Sequence, residues 1–315
     1  MNINTKVIHG YPMIDDKTGA SSIPKVQAST FHQSDLFSEQ KYTYSRFGNP
    51  TVEALEKAVA VLENGKYGVA FSSGVAAISS VLLLLSAGDH IILCQNIYGG
   101  TYQIVMDLLD KFNIEYTFVE ERPTSNWSDV IRENTKMIYM ETPSNPTLKI
   151  TDIKAVAMIA RRNDIITVCD NTFMTPYYQN PLDLGVDIVI HSGTKFLNGH
   201  SDVVAGLTVT NDLILNQRIV NQRTILGGIL GVDGMATLFL TKIIRCCESL
   251  GVIAPIALDN EPPRIGFFPA ETCSFNYAAS PEVSDPSSLS RVRFANLCCR
   301  NWIGVSYPNV PCTRR

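Results

Sequence analysis

The chain has 315 residues, 45% of them hydrophobic and 18% charged, a composition typical of a soluble globular protein with a large core. A net charge of -4 gives no support for nucleic-acid binding, which would require a basic face. The longest apolar run, residues 81–85, is too short to cross a bilayer, and the first residues lack the apolar core of a secretion signal. These features predict a cytoplasmic protein with neither nucleic-acid nor membrane partners.

The eight cysteines are unevenly distributed, because only Cys94 and Cys169 precede residue 245. The later ones include adjacent pairs rather than the C-x-x-C pairs of zinc sites, and no histidine follows His200. We therefore expect no metal site, and no disulfides in a cytoplasmic chain.

Residues 1–50 show no sustained periodicity and are predicted to form an arm that lies across a partner subunit. The arm ends in a segment with Tyr44 and Arg46. Arg46 is either a solvated charge or a fork for a phosphate or carboxylate. Thr51 is predicted to cap a helix over residues 52–62.

Next comes a predicted strand, residues 67–71, followed by a helix that opens with Ser73, Gly74 and Val75 and ends near residue 86. Small residues at such a junction expose backbone N–H groups at the positive end of a helix, which is a potential anion site. The segment is not a G-x-G-x-x-G motif, so a nicotinamide-binding site is disfavoured.

The pattern of short apolar strands and helices then repeats. Further strands are predicted at residues 90–94, 116–119, 136–140, 165–169 and 188–190, and further helices end near residues 112 and 162. This alternation predicts an α/β fold with a mostly parallel sheet and helices on both faces. Ligands of such sheets bind at the carboxyl ends of the strands.

Polar side chains gather just past the predicted strands: Tyr98, Glu141, Asn145, Asp170, Ser192, Thr194 and Lys195. Lys195 could be an ordinary loop lysine. At the end of a buried strand, however, desolvation and neighbouring cations can lower its pKa until the amine becomes a nucleophile toward an aldehyde.

These groups together fit one cofactor. A buried aspartate requires a cationic partner, such as a protonated pyridine nitrogen. An aromatic side chain can stack on a flat ring, hydroxyls and helix-start amides can hold a phosphate, and a lysine can bond an aldehyde. The combination indicates pyridoxal 5′-phosphate.

Six segments resemble the pyridoxal-phosphate enzymes of cysteine and methionine metabolism, which include cystathionine γ-synthase, cystathionine β- and γ-lyases, homoserine sulfhydrylases and methionine γ-lyase. The segments are residues 44–51, 71–77, 98–101, 141–146, 168–173 and 191–202. The resemblance extends to about residue 235. It implies the type I pyridoxal-phosphate transferase fold, with a cofactor-binding domain over residues 51–235.

The resemblance also implies roles for individual residues. Lys195 would bond the cofactor and carry protons, and Tyr98 would stack on its ring and take part in acid–base catalysis. Asp170 would pair with the ring nitrogen, Asn145 would lie near the ring oxygen, and Glu141 would support the site. The phosphate would be held by Ser73, Gly74, Val75, Ser192 and Thr194.

An oligomer is implied as well. Tyr44 and Arg46 would reach the phosphate of a neighbouring subunit, so a homodimer would be the smallest complete unit and a homotetramer the common assembly. His191 and His200 are predicted to be structural rather than metal ligands.

The expected activity is γ-replacement or β- or γ-elimination on sulfur amino acids or O-acylhomoserine. Methionine γ-lyases usually carry a reactive cysteine where this chain has Gly100, which weakens that reading. Residues 198–203 resemble cystathionine enzymes slightly better.

The tail, residues 236–315, departs from the family. It lacks the arginine segment that grips the substrate carboxylate, and Arg264, Arg291 and Arg293 are weak substitutes. A truncated or frameshifted reading frame would explain the change in composition. Two alternatives to a trans-sulfuration enzyme therefore stay open: a catalytically impaired pyridoxal-phosphate-binding protein, and an α/β binding protein whose lysine is incidental.

Overall fold

The computed structural model describes residues 3–11, 14–35, 37, 40–199 and 202–232. The strands are β1 (Tyr67–Phe71), β2 (His90–Cys94), β3 (Glu115–Val119), β4 (Thr135–Glu141), β5 (Ile166–Asp170), β6 (Ile188–Ser192) and β7 (Gly206–Thr210). The helices are α1 (Ile3–His9), α2 (Pro50–Leu62), α3 (Gly74–Leu82), α4 (Gly99–Ile104), α5 (Ser125–Asp129), α6 (Ile153–Arg162), α7 (Thr175–Tyr178) and α8 (Leu213–Leu226). Helix α4 continues through a π-helical turn, Val105–Leu109, into a 3-10 turn, Asp110–Phe112, and a second 3-10 turn covers Pro181–Leu184.

The strands form one sheet in the order β1-β7-β6-β5-β4-β2-β3. Strand β7 runs antiparallel to both of its neighbours, β1 and β6. The remaining pairs are parallel. The prediction of a mostly parallel sheet is therefore confirmed, whereas the reversed strand β7 was not predicted.

The middle of the sheet is covered on both faces. Every residue of β2 and of β7 is buried, and successive side chains of a strand point to opposite faces. Helices α2 and α3 pack against β1 and β7, and α6 packs against β5. This double burial explains why the central strands are continuous apolar runs without alternation.

Two local expectations require correction. The cap of α2 is Asn49 rather than Thr51, because the helix begins at Pro50 and the Asn49 side chain accepts the Thr51 N–H at 2.9 Å. Proline suits the first helical position, where its missing N–H has no intrahelical partner. The predicted arm also contains the short helix α1, although its residues show no long periodic stretch.

Some expectations concern other parts of the chain. His200 and the tail from residue 236, with Arg264, Arg291 and Arg293, lie outside the described residues. Within the described part, no helix has the length and apolar character needed to cross a membrane.

Candidate active site

The candidate site lies along one edge of the sheet. Strands β2, β4, β5 and β6 run parallel, so their carboxyl ends meet at that edge. Strand β1 points the same way, because β7 is antiparallel to both β1 and β6. The edge therefore brings together the segments that follow these strands and that carry the predicted residues: Ser73, Gly74, Val75, Tyr98, Glu141, Asn145, Asp170, Ser192, Thr194 and Lys195.

Backbones approach closely where β1, β6 and β7 meet, at a group that we call the glycine junction: Ser73, Gly74, Ser192 and Gly206. A Cβ on Gly74 would lie 2.8 Å from the Ser192 Cβ and 3.0 Å from its Oγ. A Cβ on Gly206 would lie 2.0 Å from the Ser73 carbonyl oxygen. Only glycine fits at either position, so the hydroxyl of Ser192 lies next to the start of α3.

The start of α3 is organised by Ser73. Its hydroxyl caps the helix by accepting the Ala76 N–H at 3.0 Å. The N–H groups of Gly74 and Val75 belong to the first turn, which has no preceding turn to bond to. With the helix dipole they favour an anion beside Ser192.

Asp170 ends β5 as a carboxylate with only 6% of its surface exposed. It accepts the Thr172 N–H at 3.0 Å and the Tyr139 hydroxyl at 3.2 Å. Burial raises the pKa of Asp170 despite these hydrogen bonds. A cation bound against this carboxylate would offset that cost.

Glu141 lies directly beside Asp170, because the two residues are paired in the register of β4 and β5. One carboxylate oxygen accepts the Tyr98 N–H at 2.6 Å and the other accepts the Asn145 N–H at 3.1 Å. Burial, and then the neighbouring Asp170, raise the pKa of Glu141 to about 8. We call Glu141 and Asp170 the carboxylate pair.

Tyr98 is 36% exposed and stands at the start of α4. Its ring lies against Gly100, since a Cβ on that glycine would come within 2.4 Å of the Tyr98 Cε1. The ring is therefore accessible for stacking, and a side chain at position 100 would displace it.

Lys195 lies in the turn that follows β6, where its N–H donates to the Ser192 carbonyl at 3.2 Å. Burial lowers the pKa of its amine, as expected from its place at a strand end. Thr194 joins this turn to the residue before β7: its hydroxyl oxygen accepts the Ala205 N–H at 3.0 Å.

Tyr44 and Arg46 lie together near the end of the arm. The Arg46 guanidinium stacks at 5.5 Å from the Tyr44 ring and at 4.9 Å from the Phe47 ring. It also donates to the Thr224 carbonyl of α8 at 3.1 Å. Their contact with a neighbouring subunit stays a prediction.

Sequence reasoning missed two hydrogen-bonded links behind the site. The Thr172 hydroxyl accepts the Ser192 N–H at 2.8 Å, so it connects the segment after β5 with the end of β6. Glu63 accepts a hydrogen bond from Asn171 at 2.7 Å and lies 2.5 Å from the Nε2 of His191, which is fully buried. His191 is thus part of a buried hydrogen-bonding network. The described residues contain no group of three or more His, Cys, Asp or Glu side chains that could hold a metal.

Comparison with known proteins identifies the family of this arrangement. Residues 4–242 match the family model described as Cys/Met metabolism PLP-dependent enzyme, where PLP is pyridoxal phosphate. Cystathionine beta-lyase MetC of Bacillus subtilis is 52% identical over 231 residues, which are 73% of this chain and 59% of that protein. Cystathionine gamma-lyase of the same organism is 48% identical and is matched over 61% of its length.

A more distant relative and a solved structure are also lyases. L-Methionine gamma-lyase of Fusobacterium nucleatum is 38% identical over 84% of this chain and 70% of its own. The crystal structure of cystathionine gamma-lyase from Lactobacillus plantarum, complexed with L-serine, has 44% identity and a TM-score of 0.74, covering 80% of this chain and 64% of that one. This chain therefore spans about three-fifths of the length of the two Bacillus subtilis lyases.

Proposed function

This chain belongs to the pyridoxal-phosphate-dependent enzymes of Cys/Met metabolism, and from that premise we propose that it cleaves a C–S bond of cystathionine by β- or γ-elimination, which releases a thiol amino acid, ammonia and a 2-oxo acid. The proposal is carried by one observation: a single sheet edge unites Lys195, the carboxylate pair and the glycine junction. Each of these groups suits a different part of the cofactor.

The residues fit pyridoxal phosphate at three points. The glycine junction, with the first-turn N–H groups of Gly74 and Val75 and the hydroxyls of Ser192 and Thr194, would hold the phosphate. Asp170 would hold the proton of the ring nitrogen, which supplies the cation that its buried carboxylate requires. Tyr98 would stack on the ring, and Asn145, in the segment after β4, would lie near the ring oxygen.

When bound, the cofactor supplies an aldehyde for amines and a ring that accepts electrons from a carbanion. The protein supplies the base. Because burial lowers the pKa of Lys195, its Nζ is more readily unprotonated, and it can take the proton from the substrate α-carbon and return it elsewhere. A protonated ring nitrogen would favour the ionised form of Asp170, whose pKa is raised by burial.

Cystathionine is the substrate best supported. The lyases that match at 52% and 48% identity are named for it. Gly100 lies under the Tyr98 ring at a distance that excludes a side chain, so a cysteine at this position would need a different placement of the ring. The methionine γ-lyase relative is also less similar, at 38% identity.

A spectroscopic titration tests the proposal. The full chain with pyridoxal phosphate should develop the visible absorption band of a lysine-bound aldehyde, and cystathionine should perturb this band and yield a 2-oxo acid. Lys195→Ala should abolish both signals. Lys57→Ala, which removes an exposed lysine of α2, should leave both unchanged.

The other outcomes identify the alternatives. Absence of the band in the wild-type chain would overturn cofactor binding. A band without turnover of cystathionine would indicate an impaired cofactor-binding protein, and turnover only of O-acylhomoserine with cysteine would indicate γ-replacement.

We further propose that the active unit is a cytoplasmic homodimer or homotetramer with a shared site. Tyr44 and Arg46 support this, because an aromatic ring and a guanidinium with part of their surface accessible form a ready phosphate fork. Arg46→Ala should weaken cofactor binding without changing the molecular mass in sedimentation if its role is phosphate contact.

A further inference from the structure

Two segments that flank the candidate ring site are joined by one carboxylate. Tyr98 follows β2 and Asn145 follows β4, and they are separated by 47 positions in the chain. Their backbone N–H groups donate to different oxygens of the same Glu141 side chain, at 2.6 and 3.1 Å. Glu141 is 6% exposed, so both of its oxygens are directed into the protein.

We propose that Glu141 is a positioning residue, whose carboxylate fixes Tyr98 and Asn145 relative to Asp170 so that the cofactor ring meets a preformed slot. This inference rests on the proposed function and refines it. Glu141 acts through its two neighbours, because both oxygens are already occupied by backbone donors. It therefore need not touch the cofactor itself.

Burying the Glu141 carboxylate at this position costs free energy. The groups that face Glu141 from the surrounding elements are Asp170 on β5, Glu121 after β3, Cys94 on β2 and Tyr139 on its own strand. All of them are acidic or neutral. Burying a carboxylate in these surroundings is unfavourable unless it makes strong hydrogen bonds.

Glu121 provides an internal comparison. It is 2% exposed and accepts hydrogen bonds from Asn96, which precedes Tyr98 by two residues. Its Oε1 accepts both the backbone N–H and the side-chain amide of Asn96, each at 3.0 Å. Its Oε2 accepts the same side-chain amide at 3.3 Å and lies 3.6 Å from the Lys149 Nζ. A glutamine could keep an acceptor for every one of these donors, because its amide oxygen would serve both Asn96 groups and Lys149 also donates to Glu120 at 2.6 Å. A glutamine at position 141 could not, because it would turn an NH2 group toward one of two N–H donors.

The experiment compares Glu141→Gln with Glu121→Gln in the full chain. The affinity for pyridoxal phosphate is measured by visible titration, and the circular dichroism of the bound cofactor reports the orientation of its ring. Glu141→Gln should weaken binding about 10-fold or more, since a buried donor loses its acceptor. It should also change the dichroic band. Glu121→Gln should retain affinity within about threefold and leave the band unchanged.

The outcomes separate this inference from the proposed function. If the wild-type chain binds no cofactor, the proposed function fails. If it binds, and the two variants have equal affinities and dichroic bands, only the positioning role of Glu141 is overturned.

A measurement on the wild-type chain covers the case in which Glu141→Gln does not fold. Hydrogen–deuterium exchange resolved to single residues should show protection of the Tyr98 and Asn145 amides, because both are bonded to a buried acceptor. Exchange of either amide at the rate of an unstructured peptide would contradict the inference.

Discussion

The two ends of the candidate site are built on opposite principles. The glycine junction contains no charged side chain among its four residues, and it depends on backbones that approach more closely than any Cβ allows. The carboxylate pair places two acidic side chains in adjacent register positions, each 6% exposed. One end should therefore respond to added volume and the other to charge and pH.

This difference matches what each end would bind. A phosphate needs N–H donors at a helix start, and small residues let it come close to the backbone. A protonated ring nitrogen needs an anion that stays ionised in a buried place. Variants that change volume or charge separately can test whether the two ends are as distinct as they look.

The largest effect is expected from removing the charge of Asp170. Asp170→Asn keeps the shape and can keep an oxygen toward the Thr172 N–H, but it leaves a ring proton without its anion, so turnover should fall about 100-fold or more. Steady-state kinetics at saturating cofactor measure this. Asp187→Asn is the control, since Asp187 accepts bonds from Thr167 at the opposite end of β5. Equal turnover of the Asp170→Asn and Asp187→Asn variants would contradict the assignment.

The next effect is a pH dependence of the cofactor-free chain. The pKa of Glu141 is about 8 in the folded chain and 4.5 for an ordinary glutamate, so the folded state binds more protons between these values. The contribution of Glu141 to the free energy of unfolding should decline by about 5 kcal/mol or less as the pH rises from about 4.5 to about 8.

Urea denaturation across this pH range checks the sign. The wild-type chain should lose stability relative to Glu141→Gln as the pH rises. A constant difference would mean that Glu141 titrates normally. Asp170 shifts in the same direction, and the loss of the neighbouring Glu141 charge relieves it as well, so the difference between the two proteins reports the carboxylate pair.

A smaller effect is expected from volume at the glycine junction. Gly206→Ala would place a methyl group 2.0 Å from the Ser73 carbonyl oxygen, which forces β7 away from the start of α3. Overpacking of this kind costs about 1–3 kcal/mol in unfolding free energy. Thermal unfolding measures it, with Gly231→Ala as the control because, within the described part of the chain, a Cβ at that position would meet no atom within 4 Å beyond its chain neighbours. Equal melting temperatures for the two variants would refute the tight junction.

The smallest effect concerns the link between the two ends. Thr172→Val removes the hydroxyl that accepts the Ser192 N–H, which should cost about 1 kcal/mol and weaken cofactor binding about fivefold. Thr172→Ser keeps the hydroxyl and should restore binding, as measured by titration. If the serine variant binds as weakly as the valine variant, the methyl group rather than the hydrogen bond is what matters.

Much of the sheet could be predicted from the sequence, for a physical reason. The central strands are covered on both faces, so they appear as unbroken apolar runs, and their predicted positions agree with β2, β4, β5 and β6 to within two residues. The polar residues just past them could be placed at one edge, because parallel strands share the direction of their carboxyl ends. The motifs then predicted the family that the comparison confirms.

Local chemistry was less decisive where two residues suit the same role. Asn49 and Thr51 are both good helix caps, and only the observed start at Pro50 decides between them. Strand β7 was not predicted, and its reversed direction follows from its pairing with β1 and β6, which periodicity along the chain does not record.

The sequence by itself determined the alternation of elements, the edge that holds the site and the chemical types that gather there. Only the tertiary structure decided which atoms meet: Gly206 against Ser73, Glu63 beside His191, and Glu141 between Tyr98 and Asn145. These contacts join residues far apart in the chain, and their distances depend on how the strands are ordered and registered. Periodicity along a sequence records which face of an element is buried, but not which neighbour it is buried against.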